Sequence, residues 1–243
     1  MADTSREQLE EVARTMSHAA GLDEVLNHLT YKALGEHFTG ETCLDVGCGE
    51  GLHIPFLLDR FGHVTIVDGS LMLVEKARKN YPSERLEIVH SMIGDYRPEG
   101  KFDTIILGHV LQYLDDGVPV IRAVREWLSL QGRLLICDSN ADSIHRSAAV
   151  IMGLLSSVTE LGPRKQSLAQ RRVYTRALLE KEVQQAGGWT IEHFGGYFLK
   201  PLTNAQLESI GTPDLINAYY ELGRRYPDIA AEIYVVCRLA EQQ

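Results

Sequence analysis

Three groups of residues in this chain are spaced for chemistry. The first is the run Glu41-Thr-Cys-Leu-Asp45-Val-Gly47-Cys48-Gly49-Glu-Gly51, an apolar strand leading straight into alternating glycines. Glycines at this spacing let a strand turn sharply into a helix and let a ligand lie against bare backbone. The second is Val64-Thr65-Ile66-Val67, which ends in Asp68 and Gly69. An acid at the tip of a second parallel strand is placed to accept hydrogen bonds from ribose hydroxyls. Loop and acid together signal a nucleoside. A dinucleotide fingerprint would need a third glycine at position 52, where the chain has Leu52, so a nicotinamide cofactor fits less well.

The third group could handle the other reactant. His109 and His145 each follow an apolar strand-like run, where an imidazole can take a proton from an alcohol or phenol near neutral pH. For both, a structural or ligand-orienting role competes with base catalysis, and His145 is the preferred base. The remaining histidines, His18, His28, His37, His53, His63, His90 and His193, read as surface or packing residues. Arg164-Lys165 and Arg171-Arg172-Val173-Tyr174-Thr175-Arg176 form the most basic stretch, with no acid between Leu161 and Leu179. It reads either as a solvated helix face or as an anion site, since the guanidinium fork matches carboxylate and phosphate.

These residues need a frame. Strand-like and helix-like stretches alternate at 42–46, 52–61, 63–67, 70–80, 86–90, 103–108, 117–130 and 133–138. That alternation predicts an α/β fold with a doubly wound, mostly parallel sheet, which binds ligands at the carboxyl ends of its strands. Asp45, Asp68, Ser91, His109 and Ser139 all fall at such ends. Asp116 is placed to cap the helix at 117–130, Pro119 suits its first turn, and Gly132 can end it. Before this core, residues 5–38 read as two helices broken near Gly21. Leu9, Val12, Ala13 and Met16 share a face of the first. They can cap the cofactor cleft.

After the core the alternation breaks. The reading is one domain over 1–243: a helical cap at 1–40, a cofactor-binding core at 41–139, a helical substrate-side insertion at 140–186, and final strands at 187–243 enclosing a helical insert at 202–230. Ile144, Ala148, Ile151, Leu155, Val158 and Leu161 form the apolar stripe of the first helix after the core. Strand-like runs follow at 190–199 and 232–239.

Composition narrows the function further. The chain has 243 residues, 44% hydrophobic and 23% charged, with a net charge of −9. That charge argues against nucleic acid as the partner. No apolar run approaches the ~18–20 residues of a membrane span, and the polar, acidic first residues do not resemble a signal peptide. The four cysteines, Cys43, Cys48, Cys137 and Cys237, are scattered without a C-x-x-C pair, so a reduced, cytoplasmic setting and no metal site are expected.

Asp45-x-Gly47-x-Gly49-x-Gly51 resembles motif I of the class I, Rossmann-like S-adenosylmethionine-dependent methyltransferases. Phe102–Leu111 resembles the family's fourth strand and site loop, and Gly132–Cys137 its fifth strand. The likeness covers roughly residues 40–140, and it implies that the strands at 190–199 and 232–239 close the sheet as an antiparallel hairpin. It implies that Asp45, Gly47, Cys48 and Gly49 hold the methionine end of S-adenosylmethionine. It further implies Asp68 with Gly69 at the ribose, Ser91, Met92 and Ile93 around adenine, and His109 near the sulfonium. Tyr31, His145, Arg146, Arg171, Arg172 and Tyr174 are the candidate acceptor-side residues. Many members carry His at the place of Tyr113, which leaves that position's role open. Asn140–Arg146, Met152-Gly153-Leu154 and Gly195–Leu202 resemble a bacterial subset associated with sugar, quinone-like or secondary-metabolite pathways. No Asn/Asp-Pro-Pro-Phe/Tyr follows the fourth strand, unlike the amide- and base-N-methylating branch. The resulting expectation is methyl transfer to an oxygen or nitrogen of a small metabolite, leaving S-adenosylhomocysteine. The alternatives are N- or carboxyl-methylation of a peptide natural product, and a non-catalytic cofactor-binding partner. The acceptor could be anionic. Oligomeric state is not legible.

Overall fold

The structure, a computed structural model, describes residues 4–15 and 21–241. Met16 and His18, singled out above, lie outside them. Two helices open the chain, α1 (Arg6–Thr15) and α2 (Gly21–Gly35). The core then alternates as expected: β1 (Thr42–Val46), α3 (Ile54–Arg60), β2 (His63–Asp68), α4 (Leu71–Asn80), β3 (Leu86–His90), β4 (Phe102–Gly108), α5 (Val118–Val124) and β5 (Leu128–Ser139). Helices α6 (Ile144–Ile151), α7 (Pro163–Ser167) and α8 (Arg176–Ala186) follow, then β6 (Trp189–Tyr197), α9 (Asn204–Ile210), α10 (Pro213–Arg225) and β7 (Glu232–Leu239).

The sheet runs β3-β2-β1-β4-β5-β7-β6. Strands β1 to β5 pair in parallel, and β7 is antiparallel to both β5 and β6. This is the doubly wound sheet that the alternation predicts, with the closing hairpin that the resemblance implies. The chain leaves β1 toward β2 on one side, and β4 lies on the other. That reversal opens a crevice at the carboxyl ends of β1, β2 and β4.

Successive side chains on a strand face opposite ways, so a central strand must be apolar on both faces. Cys43 packs with Leu34, Ile54, Leu57 and Val74 on one face. Leu44 packs with Ile121, Val124, Leu179 and Val183 on the other. Helices α2, α3, α4 and α10 thus cover one side of the sheet, and α5 and α8 the other. Burial of Leu179, Val183 and Ala186 places α8 in the core layer, so the helical material over the site ends before Thr175.

Three local expectations are corrected. The helix expected over 117–130 ends at Val124, and β5 starts at Leu128 rather than 133. Gly132 therefore sits within a strand. A Cβ there would come within 2.9 Å of the Asp103 carbonyl oxygen, so a close strand approach explains the glycine better than a helix stop. Asp116 accepts a hydrogen bond from the Val118 N–H at 2.9 Å, but Gly117 is the residue at the cap. The stripe from Ile144 to Leu161 is not one helix. Helix α6 stops at Ile151, which is 87% exposed.

Helix α8 is pinned by a buried polar knot. The Tyr174 hydroxyl donates to Glu182 at 2.8 Å, and Arg172 pairs with the other oxygen of the same carboxylate. Arg172 also donates to the Leu114 carbonyl at 2.8 Å. Removing one partner of such a pair strands a buried charge and typically costs about 3–5 kcal/mol. Glu182→Ala is accordingly expected to lower unfolding free energy by about 3 kcal/mol in urea titrations. A loss below about 1 kcal/mol would show that the knot does not hold the helix.

Candidate active site

A cavity of about 810 Å³ opens at the carboxyl ends of the parallel strands. One end is built by the strand–helix turns. Gly47 and Gly49 adopt φ of 94° and 44°, in the left-handed region that favours glycine. A Cβ on Gly49 would meet nothing within 4 Å, so its backbone borders open space. Asp68 also lines the cavity. Its carboxylate accepts the Cys48 N–H at 2.8 Å and the Ser70 N–H at 2.7 Å, which ties the β1 turn to the β2 turn. Burial raises its pKa, and these backbone donors oppose that. A carboxylate has about four lone-pair sites, so capacity remains for a diol. Gly69, Ser91, Met92 and Ile93 line the wall beside it.

Asp45 does something other than expected. It does not line the cavity and is fully buried. The Tyr31 hydroxyl donates to its Oδ2 at 2.8 Å, and His53 Nε2 lies 2.7 Å from the same oxygen. The Tyr31 and His53 rings stack at 4.4 Å. Burial, then the Asp45 charge, pushes the Tyr31 pKa far up, so its hydroxyl stays a donor. Tyr31 and His53 line the cavity, and Asp45 stands behind them. Cys48 is likewise buried and contributes its N–H to Asp68 instead of a contact surface. His53, read above as surface or packing, is a packing residue at the site's edge.

Helix α1 roofs this end. Leu9, Val12 and Ala13 face the cavity, while Glu10 accepts hydrogen bonds from Ser70 Oγ at 3.0 Å and from the first N–H groups of α4. Thr4 holds its start, donating to the carbonyls of Tyr113 and Ala169.

The other end is polar and comes from the later elements. Helix α6 brings His145 and Arg146, α7 brings Arg164 and Lys165, and Lys200, Asn204 and Glu232 complete the wall. Arg146 is spent on the fold, donating to the carbonyls of Val158 and Glu160. Arg164 pairs with Asp23, which also accepts from Asn204 at 3.1 Å. Arg171, Arg172 and Tyr174 do not line the cavity. Arg171 pairs with Asp115 at 3.2 Å, and the other two belong to the Glu182 knot. The basic stretch thus reaches the cavity through its first pair, Arg164-Lys165, and not through Arg171-Arg172. Lys165 appeared in the sequence only as part of the basic stretch, and Lys200 and Glu232 were not among its candidate site residues. Only the order of the strands shows that they converge.

His109 stands where the two ends meet. Its φ of 57° is left-handed, which costs a non-glycine residue roughly 1–2 kcal/mol. Its N–H bonds the Cys137 carbonyl at 2.9 Å, and its Nδ1 lies 4.0 Å from Glu232. Burial lowers its pKa, but Cys137, Glu232 and Asp138 outweigh burial and raise it above the ordinary value. His145 is the opposite case. Burial, with Lys200, Arg146 and Lys165 nearby, lowers its pKa to about 3. A neutral imidazole with so little affinity for a proton is a poor general base at pH 7.

The fold defines the class: a Rossmann-like α/β domain with a cleft at the switch point of its sheet. Residues 44–136 match the family described as "Methyltransferase domain". A ubiquinone biosynthesis O-methyltransferase from Schizosaccharomyces pombe is 28% identical over 104 residues, 41% of this chain and 38% of that protein. The matched segments span at most about half the length of the curated relatives. A methyltransferase structure from Mesorhizobium loti superposes with a TM-score of 0.60 at 19% identity, covering 86% of this chain and 97% of that one. The structure of SpnF, described as a [4+2]-cyclase, superposes at 0.61 and 16% identity, covering 100% and 98%. Among the described residues no helix is long and apolar enough to cross a membrane, and no cluster of potential metal ligands is present.

Two outcomes test this geometry. Asp68→Asn should weaken S-adenosylhomocysteine binding by about 1–3 kcal/mol in calorimetry, because ribose hydroxyls lose a charged acceptor. Unchanged affinity would take Asp68 off the ribose. The second outcome concerns pH. The folded pKa of His145 lies below its unfolded value of about 6.5, so the unfolded state binds the extra proton between them. Stability is therefore lost as pH falls from about 6.5 toward 3, by at most about 1.4 kcal/mol per unit from this residue. His145→Gln should flatten that loss in urea titrations at pH 6.5, 5.5 and 4.5. Parallel curves for variant and parent would contradict the buried neutral imidazole.

Proposed function

We propose that the protein transfers a methyl group from S-adenosylmethionine to an oxygen or nitrogen of a small acceptor. The observation that carries this reading is the continuity of one cavity. The glycine turn and Asp68 form one end, the Lys165, Lys200 and His145 chamber forms the other, and His109 lies between. When bound, the cofactor supplies an electrophilic methyl carbon on a sulfonium. The residues that would hold it are Gly47, Gly49 and Gly69 through backbone, Asp68 at the ribose, and Ser91, Met92 and Ile93 around the base. Open space at Gly49 and spare acceptor capacity on Asp68 fit such a ligand.

The chain's own part in the reaction is alignment and exclusion of water. Holding two reactants in attack geometry can supply much of the rate. Leu9, Val12 and Ala13 above and Leu26, Leu52 and Leu73 around the cavity keep the sulfonium end dry. Proton removal falls to the His109–Glu232 pair, not to His145. The buried Oε2 of Glu232 has no hydrogen-bond partner and lies 4.0 Å from His109 Nδ1, so His109, which holds its proton firmly, would pass that proton to Glu232 as it takes one from the acceptor. An amine arriving neutral, or an acceptor already ionised, needs only positioning.

The fold alone leaves the reaction open, since SpnF shares it. Release of S-adenosylhomocysteine decides between methyl transfer and cofactor binding without transfer. Incubating the protein with S-adenosylmethionine and a library of hydroxylated, aminated and short-peptide acceptors should give product gains of one methyl by mass spectrometry, stoichiometric with S-adenosylhomocysteine. Tight cofactor binding with no transfer to any member would favour the binding-partner alternative.

A further inference from the structure

Two lysines reach the acceptor end without an acid to pair with. Lys165 Nζ donates to the neutral amide of Gln170 at 3.0 Å, and Lys200 to that of Asn204. Among the described residues neither has a carboxylate within 4.0 Å, although the chain as a whole is acidic. The acids that share the region, Asp23, Glu232 and Asp138, act on the two lysines only from beyond ion-pair contact. Asp23 serves Arg164 and Asn204, Glu232 faces His109, and Asp138 is buried behind the wall with its Oδ1 on the Ser139 N–H. Two ammonium groups held by amides in a half-buried wall, with no carboxylate in direct contact, keep donors open to an incoming anion.

The surroundings agree. His145, between α7 and Lys200, has a buried Nδ1 with no partner. The pKa values of both lysines are lowered, by burial first, and Lys200, Arg146 and Lys165 all act on His145 in the same sense. Beside this charge the wall turns apolar through Ala149, Leu154, Leu155 and Leu168. Leu154 lines the cavity and is still 68% exposed, so the chamber opens past it.

We infer that Lys165 and Lys200 form an anion clamp for the acceptor, which therefore carries a carboxylate or phosphate group next to an aliphatic body. This deepens the methyltransferase reading and rests on it for the word acceptor. The anion is a handle: it fixes the far end of the molecule while the atom to be methylated reaches toward His109. Committed elsewhere in the fold, Arg171 and Arg172 take no part.

Four probes of equal chain length test the clamp: octanoate, octyl phosphate, 1-octanol and octylamine, titrated calorimetrically with and without saturating S-adenosylhomocysteine. Octanoate or octyl phosphate should bind at least ten-fold more tightly than octanol, and octylamine most weakly. The ratio between the two anions tells which group the clamp prefers. Lys165→Met and Lys200→Met should each lose about ten-fold in anion affinity, with octanol and S-adenosylhomocysteine affinities unchanged. Equal binding of octanol and the anions by the parent protein would overturn the clamp, and so would variants that keep their melting temperature and full octanoate affinity. Should S-adenosylhomocysteine fail to bind, the cofactor reading falls, while the four-probe comparison still decides the clamp.

Discussion

A carboxyl group with no access to water must find its partners inside the protein, and Asp45 finds a donor in the Tyr31 hydroxyl, with His53 Nε2 2.7 Å from the same oxygen. This constraint organises the whole upper half of the molecule. Asp45 ends the central strand, Tyr31 belongs to α2, and His53 precedes α3. Satisfying one buried charge therefore fixes a helix from outside the core against the turn that shapes the cofactor cleft. Next to Tyr31, the Thr30 hydroxyl meets that of Tyr197 at 2.8 Å and ties the same helix to β6. The cap, the glycine turn and the last hairpin are held in one register by a few buried side chains.

Much of the cofactor end was legible in the sequence because its residues are local. The Gly47–Gly51 turn and Asp68 are set by strand ends a few residues away, and strand ends show in apolar patterning. Asp45 shows the limit of that legibility. Its position at the turn was plain, but its partners come from Tyr31 and His53, and which way a carboxylate points depends on what packs beside it. The fold class came from alternation alone, whereas the boundary at Leu128 did not, since a buried strand and a buried helix segment share the same apolar letters. The acceptor end was mostly hidden. Arg171-Arg172 had the stronger local signal, yet Glu182 and Asp115 claim them. Lys165, Lys200 and Glu232 meet only because β7 inserts between β5 and β6.

The two histidines show how environment, not residue type, assigns roles. Both follow strands of the sheet and both line the cavity. His109 has Glu232 and Asp138 near it and holds its proton more firmly; His145 sits among Lys165, Lys200 and Arg146 and gives its proton up. Asp68 at one end of the cavity and Lys165 and Lys200 at the other also give it a polarity along its length. A ligand that spans both is oriented before any reaction begins.

Helix α1 covers the cavity yet buries none of its own residues. Its attachment depends on Thr4 and on Glu10 at the start of α4, with little apolar area behind it. Segments held so lightly sit at the low end of a protein's local stabilities. Any ligand touching Leu9, Val12 and Ala13 adds to the docking of this helix, and by reciprocity the docked helix adds the same free energy to the ligand. Occupancy of the cleft and protection of the α1 amides from solvent exchange are thus two readings of a single equilibrium.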